Sequence, residues 1–130
     1  MEKDVLVTRY TKDDLYTMMY WMQKQGAAIC RIRGLLCHTL DAFFQEVSAA
    51  LRFPDYFGWN WDAFDECMTD LDWLLFSEID IIIDDYKMVF DKAQDKDTQK
   101  KLLMKHLEII IEYWKEQKVP INVYINDCNM

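Results

Sequence analysis

The chain contains few of the residues that mark tight turns, since only 3 Gly and 2 Pro occur among its 130 residues. Folds built from many short strands need these residues at turn after turn, so their scarcity argues against a β-sandwich. Long apolar runs are missing too, because no stretch approaches the roughly 18 residues of a membrane-spanning helix. The start of the chain lacks the form of a signal peptide, and these absences predict a cytoplasmic protein without a membrane partner.

Basic residues are outnumbered: 15 Lys and Arg stand against 23 Asp and Glu, which gives a formal net charge of −8. Proteins that bind nucleic acid neutralise its phosphates with positive charge, so we expect no direct contact with nucleic acid. A basic protein is the partner that this charge attracts. The hydrophobic fraction of 52% predicts one compact domain with a well-filled core.

No C-x-x-C pair occurs among the four cysteines, which are Cys30, Cys37, Cys67 and Cys128. Because a chain of this length can build its own core, we expect reduced, buried thiols. Cys37 and His38, with Asp41 close behind, leave nucleophilic catalysis as an alternative. Adjacent residues rarely face one another, however, and no oxyanion element accompanies the pair, so the sequence favours structural thiols.

Apolar spacing predicts alternating helices and strands. The helices are predicted over residues 12–25, 40–51, 60–75 and 98–118, with a short one at 86–90, and Thr11 and Thr39 are predicted N-caps. The strands are predicted over residues 27–32, 78–84 and 121–125. Helical connections between strands favour a parallel sheet. The predicted class is therefore α/β: a small three-stranded parallel sheet packed by helices, with an extra N-terminal helix.

The predicted helix 60–75 has two different faces. Its apolar stripe is expected to be buried and consists of Trp61, Phe64, Met68, Leu71 and Leu75. Its opposite face carries Asp62, Asp65, Glu66, Thr69, Asp70 and Asp72. Asp62 and Glu66, one turn apart, repel each other by a few tenths of a kcal/mol, so stability alone does not favour this arrangement. A solvated face is the simplest interpretation, and we expect Asp62, Glu66 and Asp70 to be exposed.

The loop before this helix is rich in aromatic residues. Tyr56, Phe57 and Trp59 lie around Gly58, and so short a loop cannot point all three side chains into the core. Exposed aromatics beside acids are typical of protein-binding hot spots, because the ring supplies desolvated contact area and the acid supplies orientation. The sequence therefore predicts a protein-binding surface here.

The same segment carries the motif Phe53-Pro54-x-Tyr56-Phe57-Gly58-x-Asn60-x-Asp62-Ala63-x-x-Glu66-Cys67-x-Thr69. This motif resembles the signature of the barstar-like family of intracellular ribonuclease inhibitors, and the resemblance runs without a gap from Gly34 to Thr69. It implies a three-stranded parallel sheet packed by helices, no catalysis, no cofactor and no metal. Residues 1–26 precede the resemblance, and we expect them to form a helical extension that packs on a family domain over residues 27–130.

The resemblance further implies a partner, namely a basic ribonuclease such as a secreted or polymorphic toxin. The inhibitor, acting as an immunity protein, would plug the active site with acids in place of RNA phosphates. By position, Glu66 matches the principal acid that enters the phosphate site, and Asp62 matches a further acidic contact. The late-helix position where another interface acid is expected falls on Tyr113, beside Glu112. The implied partner-binding residues are Tyr56, Phe57, Gly58, Trp59, Asn60, Asp62, Asp65, Glu66, Thr69 and Glu112. We expect the free protein to be a monomer.

Three of these positions depart from the family pattern. Glu66 stands where the pattern has Asp, Trp59 replaces an acid, and Asp65 replaces a tryptophan. The departures predict a target nuclease that differs in detail from barnase, the secreted ribonuclease that barstar itself inhibits.

A carboxylate-dependent, metal-binding hydrolase is the alternative function. Asp62 and Glu66 would ligate the metal, joined by Asp84 from the end of the second predicted strand. The usual third acid of such a strand-end site and a phosphate-binding Gly loop are missing from the sequence. His106 is interpreted as an ordinary, partly buried residue of the last helix.

Overall fold

The computed structural model describes residues 12–125 and shows four α-helices and three β-strands over that range. In chain order they are α1 (Lys12–Lys24), β1 (Ala28–Arg33), α2 (Leu40–Leu51), α3 (Trp61–Met68), β2 (Ile79–Asp84), α4 (Lys96–Glu116) and β3 (Ile121–Ile125). Short 3-10 turns at Gly34–Leu36 and Tyr86–Met88 follow β1 and β2. None of the helices described is long and apolar enough to pass through a bilayer.

The three strands form one parallel sheet with β2 in the middle. Ala28 of β1 stands opposite Ile79 of β2, and Ile79 stands opposite Ile121 of β3, so the strands are in step from their first residues. Every residue of β2 is buried, as expected for a central strand with both faces covered. The predicted α/β class with a three-stranded parallel sheet is confirmed.

One face of the sheet carries the main core. β2 contributes Ile79, Ile81 and Ile83 to it, and α2, α3 and α4 cover it with apolar side chains. Aromatic rings fill the space between helices, where the ring of Phe43 on α2 lies 6.1 Å from that of Phe64 on α3. Because α3 buries its apolar stripe here, its other face is turned to solvent.

α1 covers the opposite face of the sheet. Its Leu15 is fully buried against Ile82 of β2, and Met18, Met19 and Met22 pack on the same cluster. These residues share one helix face, as the sequence predicted for this segment. α1 and α3 therefore lie on opposite sides of the sheet.

Polar pairs stabilise the sheet face under α1. Alternation along β2 places Asp80 and Asp84 on this face, and both are buried. Asn122 Nδ2 donates to Asp80 Oδ1 at 2.9 Å, and Arg31 Nε donates to Asp84 Oδ2 at 2.8 Å. Each buried carboxylate thus has a donor on an edge strand, which offsets the free energy lost when its charge leaves water.

The predicted cap of α2 is confirmed, since Thr39 Oγ1 accepts a hydrogen bond from the backbone N–H of Ala42 at 3.1 Å. α2 ends at Leu51 because Arg52 takes a left-handed conformation with φ of +56°. The predicted Thr11 cap of α1 lies outside the described residues.

α3 is shorter than the predicted helix 60–75 and ends at Met68. Leu71 has a φ of +52°, which a continuing right-handed helix cannot accommodate. The indole N–H of Trp114 on α4 donates to the Met68 carbonyl at 2.7 Å and satisfies a carbonyl near the helix end. Leu71 is buried as predicted, but the prediction that Leu75 is buried is wrong, because the chain has left the helix and Leu75 is fully exposed.

Other boundaries differ by small shifts. The predicted short helix 86–90 is the 3-10 turn Tyr86–Met88. α4 begins and ends two residues before the predicted range 98–118, and β1 lies one residue later than predicted. Such shifts are typical at element ends, where terminal turns fray.

Candidate protein-binding surface

Asn60 starts α3 and fixes the loop that precedes it. Its Oδ1 accepts a hydrogen bond from the backbone N–H of Ala63 at 2.8 Å, as an N-cap side chain does. Its Nδ2 donates to the carbonyl of Gly58 at 3.3 Å. The predicted partner-binding residue Asn60 is therefore engaged on both sides inside the molecule, where it joins the loop to the helix.

The structure exposes two of the three loop aromatics. Tyr56 is 70% exposed and Trp59 is 48% exposed. Phe57 is only 6% exposed, and its ring lies 5.0 Å from that of Phe53 and 5.7 Å from that of Phe44. Phe57, a predicted partner-binding residue, therefore places its ring in the core and leaves little of it exposed to a partner.

Trp59 sits on an unusual backbone. Its φ of +59° is a left-handed conformation, which is unfavourable for a residue with a side chain. Such conformations cluster at ligand-binding sites, and here the indole packs 5.8 Å from the Phe57 ring while part of it faces solvent. Gly58, in contrast, needs no left-handed backbone, and a Cβ placed there would lie 3.4 Å from the Cβ of Ala63. Its missing side chain leaves the loop open to close approach.

Asp62, Glu66 and Asp70 form the acidic surface of this region. All three are exposed, as predicted. Asp62 and Glu66 lie one turn apart on α3, which puts their Cβ atoms at about 5–6 Å. Across residues 12–125, no ion pair involves any of the three carboxylates. Their negative charge is left to solvent or to a partner.

Tyr56 lies beside the acidic surface. The pKa of its phenol is raised, first by partial desolvation and then by the negative charges of Asp70, Asp72 and Glu66 among others. The pKa of the buried Cys67 thiol is raised in the same way, by desolvation first and then by Asp70 and Glu66. The Tyr56 phenol therefore lies within the negative potential of Glu66 on α3 and of Asp70 and Asp72 just after it.

Asp65, predicted to contact a partner, is engaged inside the molecule. Nδ1 of His106 on α4 lies 2.8 Å from both carboxylate oxygens of Asp65. The imidazole stacks on Trp61, with ring centroids 4.8 Å apart and planes within 2°. Trp61 Nε1 in turn donates to Gln99 Oε1 at 3.0 Å. Sequence reasoning missed this network because it joins side chains 41 and 38 residues apart, beyond the reach of any local spacing.

Thr69 and Glu112, also predicted to bind a partner, lie at the end of α3 and on α4. Thr69 Oγ1 donates to the backbone carbonyl of Asp65 at 2.7 Å, so this hydroxyl closes the end of α3. Glu112 is exposed on α4, two residues before the Trp114 that contacts the end of α3. The structure therefore brings Tyr56 together with the acidic surface, and it places Glu112 on the adjoining helix.

Nucleophilic catalysis by Cys37 is not supported. The residue is fully buried, and burial is the main reason that the pKa of its thiol is raised to about 12. Its Sγ donates to the carbonyl of Arg33 at 3.3 Å, while His38 Nδ1 lies 2.6 Å from Asp91 Oδ1. A thiol held protonated is a poor nucleophile. Cys30, Cys37 and Cys67 are buried free thiols as predicted, and Cys128 lies outside the described residues.

The metal-dependent alternative loses its third ligand. Asp84 is buried on the sheet face covered by α1, where it pairs with Arg31. Asp62 and Glu66 lie on α3, which packs on the other face, so the three carboxylates cannot converge. Among residues 12–125, no group of three or more His, Cys, Asp or Glu side chains is placed to hold a metal ion.

The fold and this surface define the class of the protein: a small α/β domain that presents a short acidic helix beside an aromatic loop. The family model for barstar, described as a barnase inhibitor, matches residues 27–126. The chain therefore belongs to the barstar family, whose members are inhibitors that bind ribonucleases such as barnase. The matched range begins after α1, and no individual curated protein matches the chain.

Proposed function

We propose that the protein is a non-enzymatic inhibitor that blocks the active site of a basic ribonuclease. The acidic surface takes the places of RNA phosphates among the basic residues of the nuclease, and the loop aromatics pack around them. One observation carries this proposal: three carboxylates stand exposed on and just after a single short helix, inside the range matched by the barnase-inhibitor family, and none of them pairs with a cation among residues 12–125.

The charge distribution supports a cationic partner. A net charge of −8 attracts a basic protein over long range and speeds its association. Asp62 and Glu66 repel each other in the free protein. Cations of a nuclease active site relieve that repulsion on binding. The arrangement therefore slightly destabilises the free helix and adds to the free energy of binding.

Each part of the surface has a distinct role in the proposed complex. Glu66 lies one turn after Asp62 and four residues before Asp70 in the chain, so we assign it to the phosphate site at the centre of the contact. Tyr56 and Trp59 provide exposed ring area that loses water on binding. Asp65 and Thr69 act indirectly, because their side chains hold α3 in place.

The proposal includes a biological role and a domain division. A cell that makes or meets a toxic ribonuclease needs protection where its RNA is, so we propose an immunity function in the cytoplasm. We propose that residues 27–130 form the inhibitor domain and that residues 1–26 are an extension of it. The packing of α1 on the outer face of the sheet supports this division.

The test measures inhibition of barnase, and of basic ribonucleases captured from source cells on the immobilised protein, by matched variants. Glu66→Ala is expected to weaken binding by about 2 kcal/mol or more, which is roughly 30-fold, because it leaves desolvated cations unpaired. Asp62→Ala acts in the same direction with a smaller effect. Asp14→Ala removes the same charge from the other side of the sheet, so only a slight, salt-dependent loss of association rate is expected.

Thermal unfolding of the same variants separates binding from folding. Asp62 and Glu66 are exposed and take part in no ion pair within residues 12–125, so their substitution is expected to leave stability within about 0.5 kcal/mol of the parent. Inhibition by Glu66→Ala and Asp62→Ala as tight as by the parent would contradict the phosphate-mimic mechanism. Failure of the parent to inhibit barnase or any captured ribonuclease would contradict the function itself.

A further inference from the structure

α1 has a second face that the fold leaves uncovered. The face toward the sheet buries Leu15, and three methionines pack beside it. The face turned away carries Tyr16, Tyr20 and Trp21, which are 62%, 53% and 60% exposed. A helix that only covers a sheet needs a polar outer face, so three large exposed rings on successive turns are unexpected.

The exposed rings form a continuous patch. Tyr16 and Tyr20 are four residues apart and lie on one ridge of the helix. Trp21 contacts Tyr20 edge to face, with ring centroids 5.5 Å apart. Lys24 extends the ridge, with its Nζ 5.4 Å from the centre of the Tyr20 ring. We call Tyr16, Tyr20 and Trp21 the α1 aromatic patch.

The size of this patch suits a weak protein contact. Fully buried Tyr and Trp side chains each remove about 150–250 Å² from water, so the three exposed fractions amount to roughly 350 Å² of ring surface. A stable interface needs about 800 Å² from each partner. The rings therefore supply nearly half of that area, and exposed polar neighbours such as Thr17 and Gln23 must supply the remainder.

The charges beside the patch are self-complementary. Asp14 is exposed near the start of α1 and Lys24 near its end. When two copies of the helix pack antiparallel about a two-fold axis, each Asp14 meets the Lys24 of the other copy. A parallel arrangement would instead place like charges together. The patch thus fits a second copy of this chain in one orientation.

We propose that the protein forms a weak symmetric dimer through antiparallel packing of the α1 aromatic patch. The proposed dimer departs from the monomer expected for the free protein. Because α1 and α3 lie on opposite sides of the sheet, both acidic surfaces face outward in the dimer. The dimer therefore presents two ligand-binding surfaces at once, one on each protomer.

Analytical ultracentrifugation from low micromolar to near-millimolar protein tests the dimer. The apparent mass is expected to rise from the 15.7 kDa of one chain toward twice that value. The double variant Tyr20→Ser/Trp21→Ser is expected to weaken self-association at least tenfold. Ile109→Ser is the matched control, because Ile109 is 48% exposed on α4, on the other side of the sheet. It is expected to leave the dissociation constant unchanged.

Charge-swapped variants test the orientation. Lys24→Glu is expected to weaken the dimer, because it places two acids in contact. Asp14→Lys combined with Lys24→Glu restores opposite charges across the antiparallel interface and is expected to recover the parent dissociation constant. In a parallel dimer the single change would only replace one like-charged contact with another. Circular dichroism of each variant checks that α1 is still folded.

Salt separates this contact from binding to a cationic partner. Two chains of net charge −8 repel each other, so screening is expected to strengthen self-association. Binding to a basic protein weakens under the same conditions. A chain that stays monomeric at every concentration and salt level overturns the proposal. It is overturned in the same way if the chain is monomeric and Tyr20→Ser/Trp21→Ser weakens binding to barnase. Equal weakening by Ile109→Ser or Glu66→Ala would also overturn it, because the contact would then lie elsewhere.

Discussion

α2 and α3 are neighbouring helices on the same side of the sheet, and they hold their carboxylates in opposite ways. Glu46 of α2 is 8% exposed. It accepts hydrogen bonds from Arg33 Nε at 2.8 Å and from the backbone N–H of Arg33 at 3.0 Å. Glu66 of α3 is exposed and takes part in no ion pair within the described chain. Glu46 therefore pairs with a cation of its own chain, whereas the charge of Glu66 is available to a cation of a partner.

This difference shows how internal pairing separates structural acids from acids available for binding. The hydrogen bond from the Arg33 side chain is the main reason that the pKa of Glu46 is lowered, and this outweighs the effect of burial. Asp65 lies between the two cases, because His106 pairs with it although it is partly exposed. Carboxylates of one chemical type are thus distinguished only by what surrounds them.

The largest effect on stability is expected for Arg33→Ala. This change leaves Glu46 buried without its guanidinium, and an unsatisfied buried group costs about 1–3 kcal/mol. Glu66→Ala is the matched change on α3 and is expected to alter the free energy of unfolding by less than about 0.5 kcal/mol. Urea unfolding of both variants measures the contrast. Equal losses would show that α3 also uses its acid for folding, and Arg33→Ala with Glu46→Gln should recover part of the loss.

A smaller effect is expected from pH. Because the folded pKa of Glu46 is below its ordinary value of 4.5, its pairing stabilises the protein fully above that pH. As the pH falls from 4.5 through the lowered pKa, this contribution is lost, because the unfolded chain binds a proton that folded Glu46 takes up only at lower pH. The difference in unfolding free energy between the parent and Glu46→Gln should therefore shrink as the solution is acidified from neutral pH. A difference that stays constant would contradict the charged pair.

A modest effect is expected for Asp65→Asn. Its pair with His106 is partly exposed, so its loss is expected to cost no more than about 1 kcal/mol of stability. Affinity for the ribonuclease should fall much less than with Glu66→Ala, because Asp65 already has a partner. Calorimetric titration of both variants compares them. If Asp65→Asn weakens binding as strongly as Glu66→Ala, Asp65 contacts the nuclease directly.

The smallest effect is expected for Leu75→Ser. The apolar spacing of the predicted helix 60–75 places Leu75 in the core, but the side chain is fully exposed beyond the end of α3. The free energy of unfolding should change by less than about 0.5 kcal/mol. A loss of several kcal/mol in chemical denaturation would mean that α3 continues past Met68 in solution and that its acidic face is longer.

Much of the fold is predictable because its signals are local. The β-branched run after Glu78 and the final strand at Ile121–Ile125 need only their own residues to be recognised. The cap at Thr39 likewise depends on residues three positions away. The end of α3 cannot be predicted from nearby residues, because it depends on the hydrogen bond from Trp114 to Met68 and on the left-handed backbone of Leu71.

The candidate site divides in the same way. The exposure of Asp62 and Glu66 follows from helical spacing alone, so the sequence predicts it correctly. Which loop aromatic turns inward depends on the space beside Phe44 and Phe53, and no pattern in the loop distinguishes Phe57 from Tyr56. Side chains that meet only after folding, such as Asp65 and His106, leave no mark at the level of local sequence.

The brevity of α3 has a consequence for how the acids are used. With eight residues, this helix is shorter than the roughly 12–15 residues that an isolated helix needs to form in water. Two indole hydrogen bonds, from Trp61 to Gln99 and from Trp114 to Met68, fasten its two ends to α4. The conformational entropy of ordering the helix is thus lost when the protein folds and not when it binds. A synthetic peptide of residues 56–72 keeps every carboxylate but must order itself on the nuclease, so it should inhibit far more weakly than the intact domain.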